Sequence, residues 1–196
     1  MNDQRLLFDA GWLRLYERKR WVRGQPIRWV YCSRGATKRP EGGDAVVMVP
    51  LVRSEEGVRL LVTKEYRMPL QGEEYGFPAG LVEDGEDPES AVARELLEET
   101  GYRLKRVLER SPANLVSTAG LTDETFRYYF LEAEVEAGAG QRLEPAEEIE
   151  VILLDLDGIR ALFQRGVRIS GRMWPIGRWF LALGRFPDLD DWQMGG

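Results

Sequence analysis

The sequence predicts an α/β layered domain. Three observations carry this. Short β-branched and apolar runs recur between turns rich in Gly, Pro and Asp, and only three stretches have a helical pattern. The composition is that of a chain with a real core, 43% apolar and 31% charged over 196 residues. Strands mixed with few helices pack as layers rather than as a helical bundle or a sandwich of sheets. At this length one domain with a small appendage is expected.

The elements follow in order. Residues 6–34 read as extended structure, with a hairpin around Gly24-Gln25-Pro26 and aromatic and β-branched residues on both sides. Residues 35–43 contain Pro40 and paired glycines and read as a loop. Ala45–Val49 is a continuous apolar run, as in a buried strand, and Val58–Tyr66 is a second strand. A Gly-rich acidic stretch runs from Gln71 to Asp87. The best helix covers Asp87–Glu99, with Asp87 as N-cap, Pro88 at the first position and Gly101 as the stop. Strands are expected at Leu104–Glu109 and Glu124–Glu136, a loop at Gly138–Pro145, and a strand at Glu150–Leu154. Helices are expected at Leu156–Gln164 and Pro175–Leu183.

Composition also excludes. There is no histidine, which removes Ser-His-Asp and Cys-His hydrolases, His-ligated zinc and His-based proton transfer. Cys32 is the one cysteine, so neither an intrachain disulfide nor a Cys-rich metal site can form. It fits a reducing compartment. A net charge of −6 argues against non-specific nucleic-acid binding. The apolar patch Leu6-Leu7-Phe8 is too short for a signal peptide, and no run of eighteen apolar residues exists, so a cytoplasmic protein without a membrane partner is expected.

Chemistry must therefore come from carboxylates, Lys, Arg, Tyr, Ser/Thr or a hard metal ion. Glu95, Glu98 and Glu99 stand at i, i+3 and i+4 of the expected helix and share about a 100° arc of its surface. Val92, Ala93, Leu96 and Leu97 take much of the other side, and Arg94 lies four residues before Glu98. Taken alone, such a run is most often a solvated helix face. Clustered carboxylates repel and raise one another's pKa, and a divalent cation reverses that. All-oxygen ligands favour Mg²⁺, Mn²⁺ or Ca²⁺ over zinc, and Mg²⁺ keeps positions for water and substrate phosphate.

The whole stretch Gly80–Tyr102 resembles the Nudix box, G-x5-E-x7-R-E-U-x-E-E-x-G-U, where U is bulky and apolar. Gly80, Glu86, Arg94, Glu95, Leu96, Glu98, Glu99 and Gly101 fall in register, and Tyr102 replaces the commoner aliphatic residue. Chance agreement at the fixed positions is on the order of 10⁻⁵–10⁻⁴. The strand order from about residue 44 also resembles the family. The resemblance implies the Nudix fold, an α/β/α sandwich around a mixed sheet, and a Mg²⁺-dependent hydrolase (Mn²⁺ as a substitute) of a nucleoside diphosphate linked to another group. It implies Glu95, Glu98, Glu99 and the carbonyl of Ala79 as metal ligands, Arg94 as the residue that positions the glutamates, and Glu86 as a brace for the loop.

The flanks resemble the ADP-ribose and nucleotide-sugar pyrophosphatase branch. Glu65-Tyr66-Arg67-Met68-Pro69 matches a strand end whose arginine contacts substrate phosphate, against the alternative of a surface salt bridge for Arg67. Phe77-Pro78-Ala79-Gly80 matches the approach to the box, with Gly76 where the branch often has Glu. Ser117–Glu124 resembles a loop whose glutamate acts as base or helps bind the metal cluster. Glu124 is thus the candidate base, against the alternative of a surface acid at a strand start. Ala119 stands where ADP-ribose hydrolases usually carry Pro, which widens the expectation to nucleotide sugars generally. Residues 1–43 would form an N-terminal β-region and 44–196 the Nudix domain. The resemblance implies a homodimer through that region, with Trp21, Trp29 and Tyr31 as candidates to stack on the base. Ordinary hairpin packing is the alternative for each ring, and Trp174 is equally ambiguous.

The expected activity is hydrolysis of the diphosphate bond of ADP-ribose or a related nucleoside diphosphate sugar, giving a nucleoside monophosphate and a sugar phosphate. A nucleotide-pool-cleaning NTP pyrophosphohydrolase is the alternative enzyme, and a non-catalytic ligand sensor the alternative class. The S-Q-P-W-P-F-P array of NADH hydrolases does not occur downstream of the box, and no attached DNA-binding module is expected.

Overall fold

A computed structural model describes residues 3–35, 43–138 and 140–190. In chain order the strands are β1 (Asp3–Asp9), β2 (Arg14–Val22), β3 (Gln25–Ser33), β4 (Ala45–Ser54), β5 (Gly57–Arg67), β6 (Gly72–Gly76) and β7 (Ala79–Leu81). Helix α1 (Pro88–Thr100) precedes β8 (Tyr102–Arg110), β9 (Leu115–Val116), β10 (Thr125–Val135) and β11 (Ile149–Leu154), and the chain continues with α2 (Leu156–Gln164) and α3 (Met173–Leu183). These divide into two compact units. One comprises residues up to Ala45 with Pro112–Arg127, the other Val46–Ser111 with residues from Tyr128 onward.

In the first unit, β1, β2 and β3 form an antiparallel sheet in that order. The β2–β3 turn is Arg23-Gly24, with φ of 52° and 75°. Two left-handed residues match the twist of the flanking strands. The turn therefore sits one residue earlier than the sequence suggested, and Pro26 lies in β3 opposite Trp21. Residues 112–127 are stitched to this sheet. The Cys32 amide donates to the Leu121 carbonyl at 2.8 Å, and the Trp29 indole N–H to the Gly120 carbonyl at 3.1 Å. Asp44 accepts from the Thr125 amide and hydroxyl at 2.8 and 3.0 Å. The expected loop at 35–43 falls mostly on residues 36–42, outside the described residues.

In the second unit the sheet runs β11-β5-β4-β10-β8, with β6 beside β5 and β7 beside β4. Every β4 residue from Ala45 to Val52 is buried. Successive side chains of a strand point to opposite faces, so both faces must be covered. On one, Val46, Met48, Leu61, Tyr129, Leu131 and Ala133 pack with Ala91, Val92 and Leu96 of α1. On the other, Phe130 meets Trp179 of α3 edge-on, with centroids 6.2 Å apart. Helices on both faces make the α/β/α layers. Helix α3 also lies close against α2: a Cβ on Gly177 would come within 2.5 Å of the Phe163 ring. It begins two residues before Pro175.

The caps of α1 are those expected. The Asp87 carboxylate accepts from the amides of Glu89 and Ser90 at 3.0 and 3.1 Å. Gly101, at φ 73°, closes the last turn by donating to the Leu97 carbonyl. Strands β6 and β7 fall within the acidic Gly-rich stretch, where the sequence showed no strand. Glycine weakens strand propensity, and neighbour pairing overrides it here. Among the described residues no helix is long and apolar enough to cross a membrane.

Candidate active site

Helix α1 presents its carboxylates beside β7, and Arg94 organises them. Its Nε and Nη2 donate to the two oxygens of Glu86, both at 2.9 Å, and Nη2 also reaches the Leu81 carbonyl at 3.1 Å. Nη1 donates to Glu95 at 2.8 Å and to Glu98 at 3.3 Å. A planar fork can serve three carboxylates and a carbonyl at once. The bonds to Glu86 hold the Arg94 guanidinium more firmly charged than usual. Glu86 in turn accepts from the Glu83 amide at 2.9 Å, tying the loop before α1 to the same hub.

Gly80 explains its own identity. A Cβ at this position would lie 1.9 Å from Cδ of Glu95 and 2.2 Å from its Oε1. The Glu95 carboxylate thus sits where any side chain at position 80 would be. Beside it, Glu99 is buried and accepts from the Ala79 amide at 3.1 Å. Burial, with the nearby Glu95 charge, raises the Glu99 carboxyl well above the ordinary range. Burial also raises Glu95, against the pull of Arg94, and Glu65, against the pull of Arg67. Glu147 adds negative field at all three.

Arg94 thus joins Glu95 and Glu98, and the Ala79 amide meets Glu99 on the same helix. Among the described residues no three carboxylates converge closely enough to hold an ion as they stand, because Glu95 and Glu98 turn to Arg94. The donor set nonetheless fits a hard cation. It is all oxygen, and it includes a buried carboxylate, Glu99, whose charge is crowded by Glu95. Arg67 donates to Glu65 at 2.5 Å and lies 3.5 Å from Glu74. It also lines a small cavity with Glu65, Gly76, Ala79, Ser170 and Arg172, so it is both ion-paired and at a site. Gly76 has room, for an added Cβ would make only ordinary contact with Ser170 at 3.5 Å.

The first unit separates the candidate rings. Trp21 is 73% exposed and Trp29 54%. Tyr31 is only 8% exposed, stacked on Tyr16 at 5.8 Å, with the Arg18 guanidinium 5.4 Å from its ring centre. Trp29 and Tyr31 line a cavity of about 440 Å³ with Arg18, Ile27, Ala119 and Asp123, while Trp21 is not on its wall. The buried Tyr31 hydroxyl has no protein hydrogen-bond partner. The Glu124 carboxylate accepts from Arg34 at 2.6 Å.

Sequence reasoning missed Glu65, Glu147 and Arg172 as site residues. Glu65 was readable in the strand-end motif. The other two lie outside any motif, and only chain folding brings them in.

Comparison with known proteins agrees with this geometry. The NUDIX domain model matches residues 43–172. An ADP-ribose pyrophosphatase of Saccharomyces cerevisiae is 30% identical over 148 residues, covering 70% of this chain and 63% of that protein. An ADP-sugar pyrophosphatase of Mus musculus is 42% identical over 116 residues, covering 58% and 52%. The chain thus matches between about half and two thirds of the length of these relatives. A crystal structure of an ADP compounds hydrolase shares the fold, with a TM-score of 0.65 and 19% identity over 94% of this chain and 95% of that one. The chain belongs to the Nudix family.

Proposed function

We propose that the protein is a hydrolase that cleaves the diphosphate linkage of ADP-ribose or a related nucleoside diphosphate sugar, releasing a nucleoside monophosphate and a sugar phosphate. The observation that carries this is the Arg94 hub, which holds Glu86, Glu95 and Glu98 around the cradle at Gly80, next to a cavity walled by Arg67. The named activities of the yeast and mouse relatives support the substrate class.

Glu95, Glu98, Glu99 and the Ala79 carbonyl would hold Mg²⁺, with Mn²⁺ as a substitute. When bound, the ion would neutralise diphosphate oxygens and acidify a water molecule. The chain's own residues do the rest. Arg67 exchanges its carboxylate partners for substrate phosphate, and Arg94 keeps Glu95 and Glu98 at fixed spacing. Glu98, 42% exposed and on the longest of the Arg94 bonds, is the box carboxylate most free to change partner. Two residues compete as proton acceptor. Glu124 is the candidate from its loop motif, and its carboxylate is ion-paired with Arg34. Glu147 is the candidate from its negative charge, which acts on both Glu95 and Glu99.

In this reading residues 1–43 mediate a cytoplasmic homodimer and contribute base recognition through Trp29, with Trp21 and Tyr31 as secondary candidates. The exposure of Trp29 on a cavity with apolar walls supports that role.

The test is a phosphate-release screen of the full chain with Mg²⁺, coupled to a phosphatase. Its substrates are ADP-ribose, ADP-glucose, GDP-mannose, UDP-glucose, NADH and NTPs. A nucleotide sugar should give the strongest signal, and Glu98→Gln should abolish most of it without loss of fold. Preference for an NTP would point to pool cleaning. Silence across the panel would overturn the enzyme reading in favour of a sensor. Glu124→Gln and Glu147→Gln, assayed side by side, identify the base by the larger fall in kcat.

A further inference from the structure

The last turn of a helix leaves carbonyls without helical partners, and in α1 two of them belong to box glutamates. One short stretch of chain takes up both. The Arg142 amide donates to the Glu98 carbonyl at 2.8 Å. The Gln141 carboxamide nitrogen donates to the Glu99 carbonyl at 2.7 Å. The same nitrogen donates at 3.0 Å to the carbonyl of Ile149, the first residue of β11. Only the NH₂ end of a glutamine side chain can serve two carbonyls, with one hydrogen for each. Gln141 therefore ties the end of α1 to the start of β11.

That tie closes the loop of residues 141–149, and Glu147 lies inside it. The Glu147 amide donates to the Glu144 carbonyl at 3.0 Å, and its carboxylate accepts from the Glu144 amide at 2.9 Å. Next in the chain, the Glu148 carbonyl accepts from the Tyr66 amide at 3.3 Å, and Ile149 pairs with Glu65 of β5. Glu147 is thus held on a compact turn, and Gln141 and Arg142 set the place of that turn against α1. The negative charge of Glu147 acts on Glu95 and Glu99 of the same helix. Gln141 is itself exposed, so its contribution is these two bonds rather than packing.

We propose that Gln141 is a positioning residue for the reaction: by bridging Glu99 and Ile149 it holds Glu147 in a fixed place beside the box carboxylates. The inference rests on the reading of Glu147 as proton acceptor. Without the bridge the loop is free to shift, and ~1 Å of misplacement costs on the order of 10²-fold in rate. The Arg67 side chain pairs with Glu65 and Glu74 and is not part of the bridge. The loss should therefore fall on kcat rather than KM.

The experiment uses the full chain, ADP-ribose and Mg²⁺. Gln141→Met keeps the length of the side chain and removes its donors. It should lower kcat roughly 10- to 100-fold with KM within about twofold of wild type. Gln141→Lys, which restores N–H donors at similar reach, should recover most of the loss. In a Glu147→Gln background Gln141→Met should change kcat by less than about threefold, because the group it positions is already gone. The melting temperature of Gln141→Met should fall by no more than ~2–4 °C. Wild-type kcat in Gln141→Met, with Glu147→Gln slow, overturns the inference and leaves the proton acceptor in place. Losses that multiply in the double variant overturn it as well, since the bridge would then act through another group. So does a fall in kcat that tracks the unfolded fraction. Wild-type kcat in Glu147→Gln overturns the reading of Glu147 and the inference with it, whereas a wild type inactive on every nucleotide sugar overturns the enzyme reading beneath both.

Discussion

Replacing Gly80 with alanine tests the site at its tightest point. The new Cβ would stand 1.9 Å from Glu95 Cδ, whereas ordinary contact begins at 3.4 Å. The carboxylate must retreat by about 1.5 Å, more than the ~1 Å misplacement that costs on the order of 10²-fold in rate. The backbone is not the obstacle, because all three atoms nearest the new Cβ belong to the Glu95 side chain. Glu95 can swing away, at the cost of its 2.8 Å bond to Arg94, so the fold should survive. Turnover of a nucleotide sugar should fall at least ~10²-fold, about 2.7 kcal/mol in barrier height. Stability should change by no more than about 1 kcal/mol, or ~2–4 °C for a chain of this size. Steady-state kinetics and thermal melting of the same preparation measure both. Wild-type turnover in the Gly80→Ala variant would refute the argument, because Glu95 would then not need the space that glycine leaves. A turnover loss fully explained by unfolding would refute it as well.

Other perturbations separate stability from function. Glu99→Gln removes a crowded buried charge but keeps an oxygen for the Ala79 amide, so metal-free melting should rise, and the rise that Mg²⁺ gives the wild type should disappear. Glu132 is 2% exposed and bonded at 2.9 Å to Arg53, Lys105 and Arg106. Burial alone would raise its carboxyl, but these three cations hold it below its ordinary value. Its contribution is therefore present above the unfolded carboxyl pKa of 4.5 and is lost as pH falls through the lower folded value. Denaturant titration of wild type and Glu132→Gln should differ by about 2–3 kcal/mol at neutral pH, a partly exposed cluster giving less than a fully buried pair, and should converge in acid. Asp87→Ala should cost about 1 kcal/mol by removing the bonds to two α1 amides, read as ~2–4 °C in melting.

The parts of this molecule legible in its sequence are those whose physics is local. The α1 boundaries followed from Asp87, Pro88 and Gly101 because caps act within one turn. The three box glutamates shared a face because helical spacing fixes it. Strands β6 and β7 were hidden because Gly72, Gly76 and Gly80 carry no strand signal. At Gly80 the glycine is explained by the approach of Glu95, fifteen residues along the chain. Glu147 and Arg172 were hidden for a related reason. Each comes from a part of the chain with no recognisable motif, and tertiary folding alone delivers it. The rings of the first unit looked alike in sequence, yet Tyr31 is inside and Trp29 outside because they sit two residues apart on a strand running from exposed to covered.

The site also shows why the box pairs arginine with its glutamates. Glu65, Glu95, Glu99 and Glu147 crowd one region, and burial penalises the charge on the first three. A folded chain cannot hold such a cluster unless something offsets it. Arg94 offsets Glu95, Arg67 offsets Glu65, and a single backbone amide from Ala79 serves Glu99. Glu99, the most buried of them, is therefore the least compensated by the protein itself. A lysine in place of Arg94 would supply the charge but not the fork, and could not reach Glu86, Glu95 and Leu81 at once. The residual repulsion around Glu99 is a stability cost of the metal-free fold. Binding of a divalent cation would relieve it, which couples metal affinity to stability through the same carboxylate.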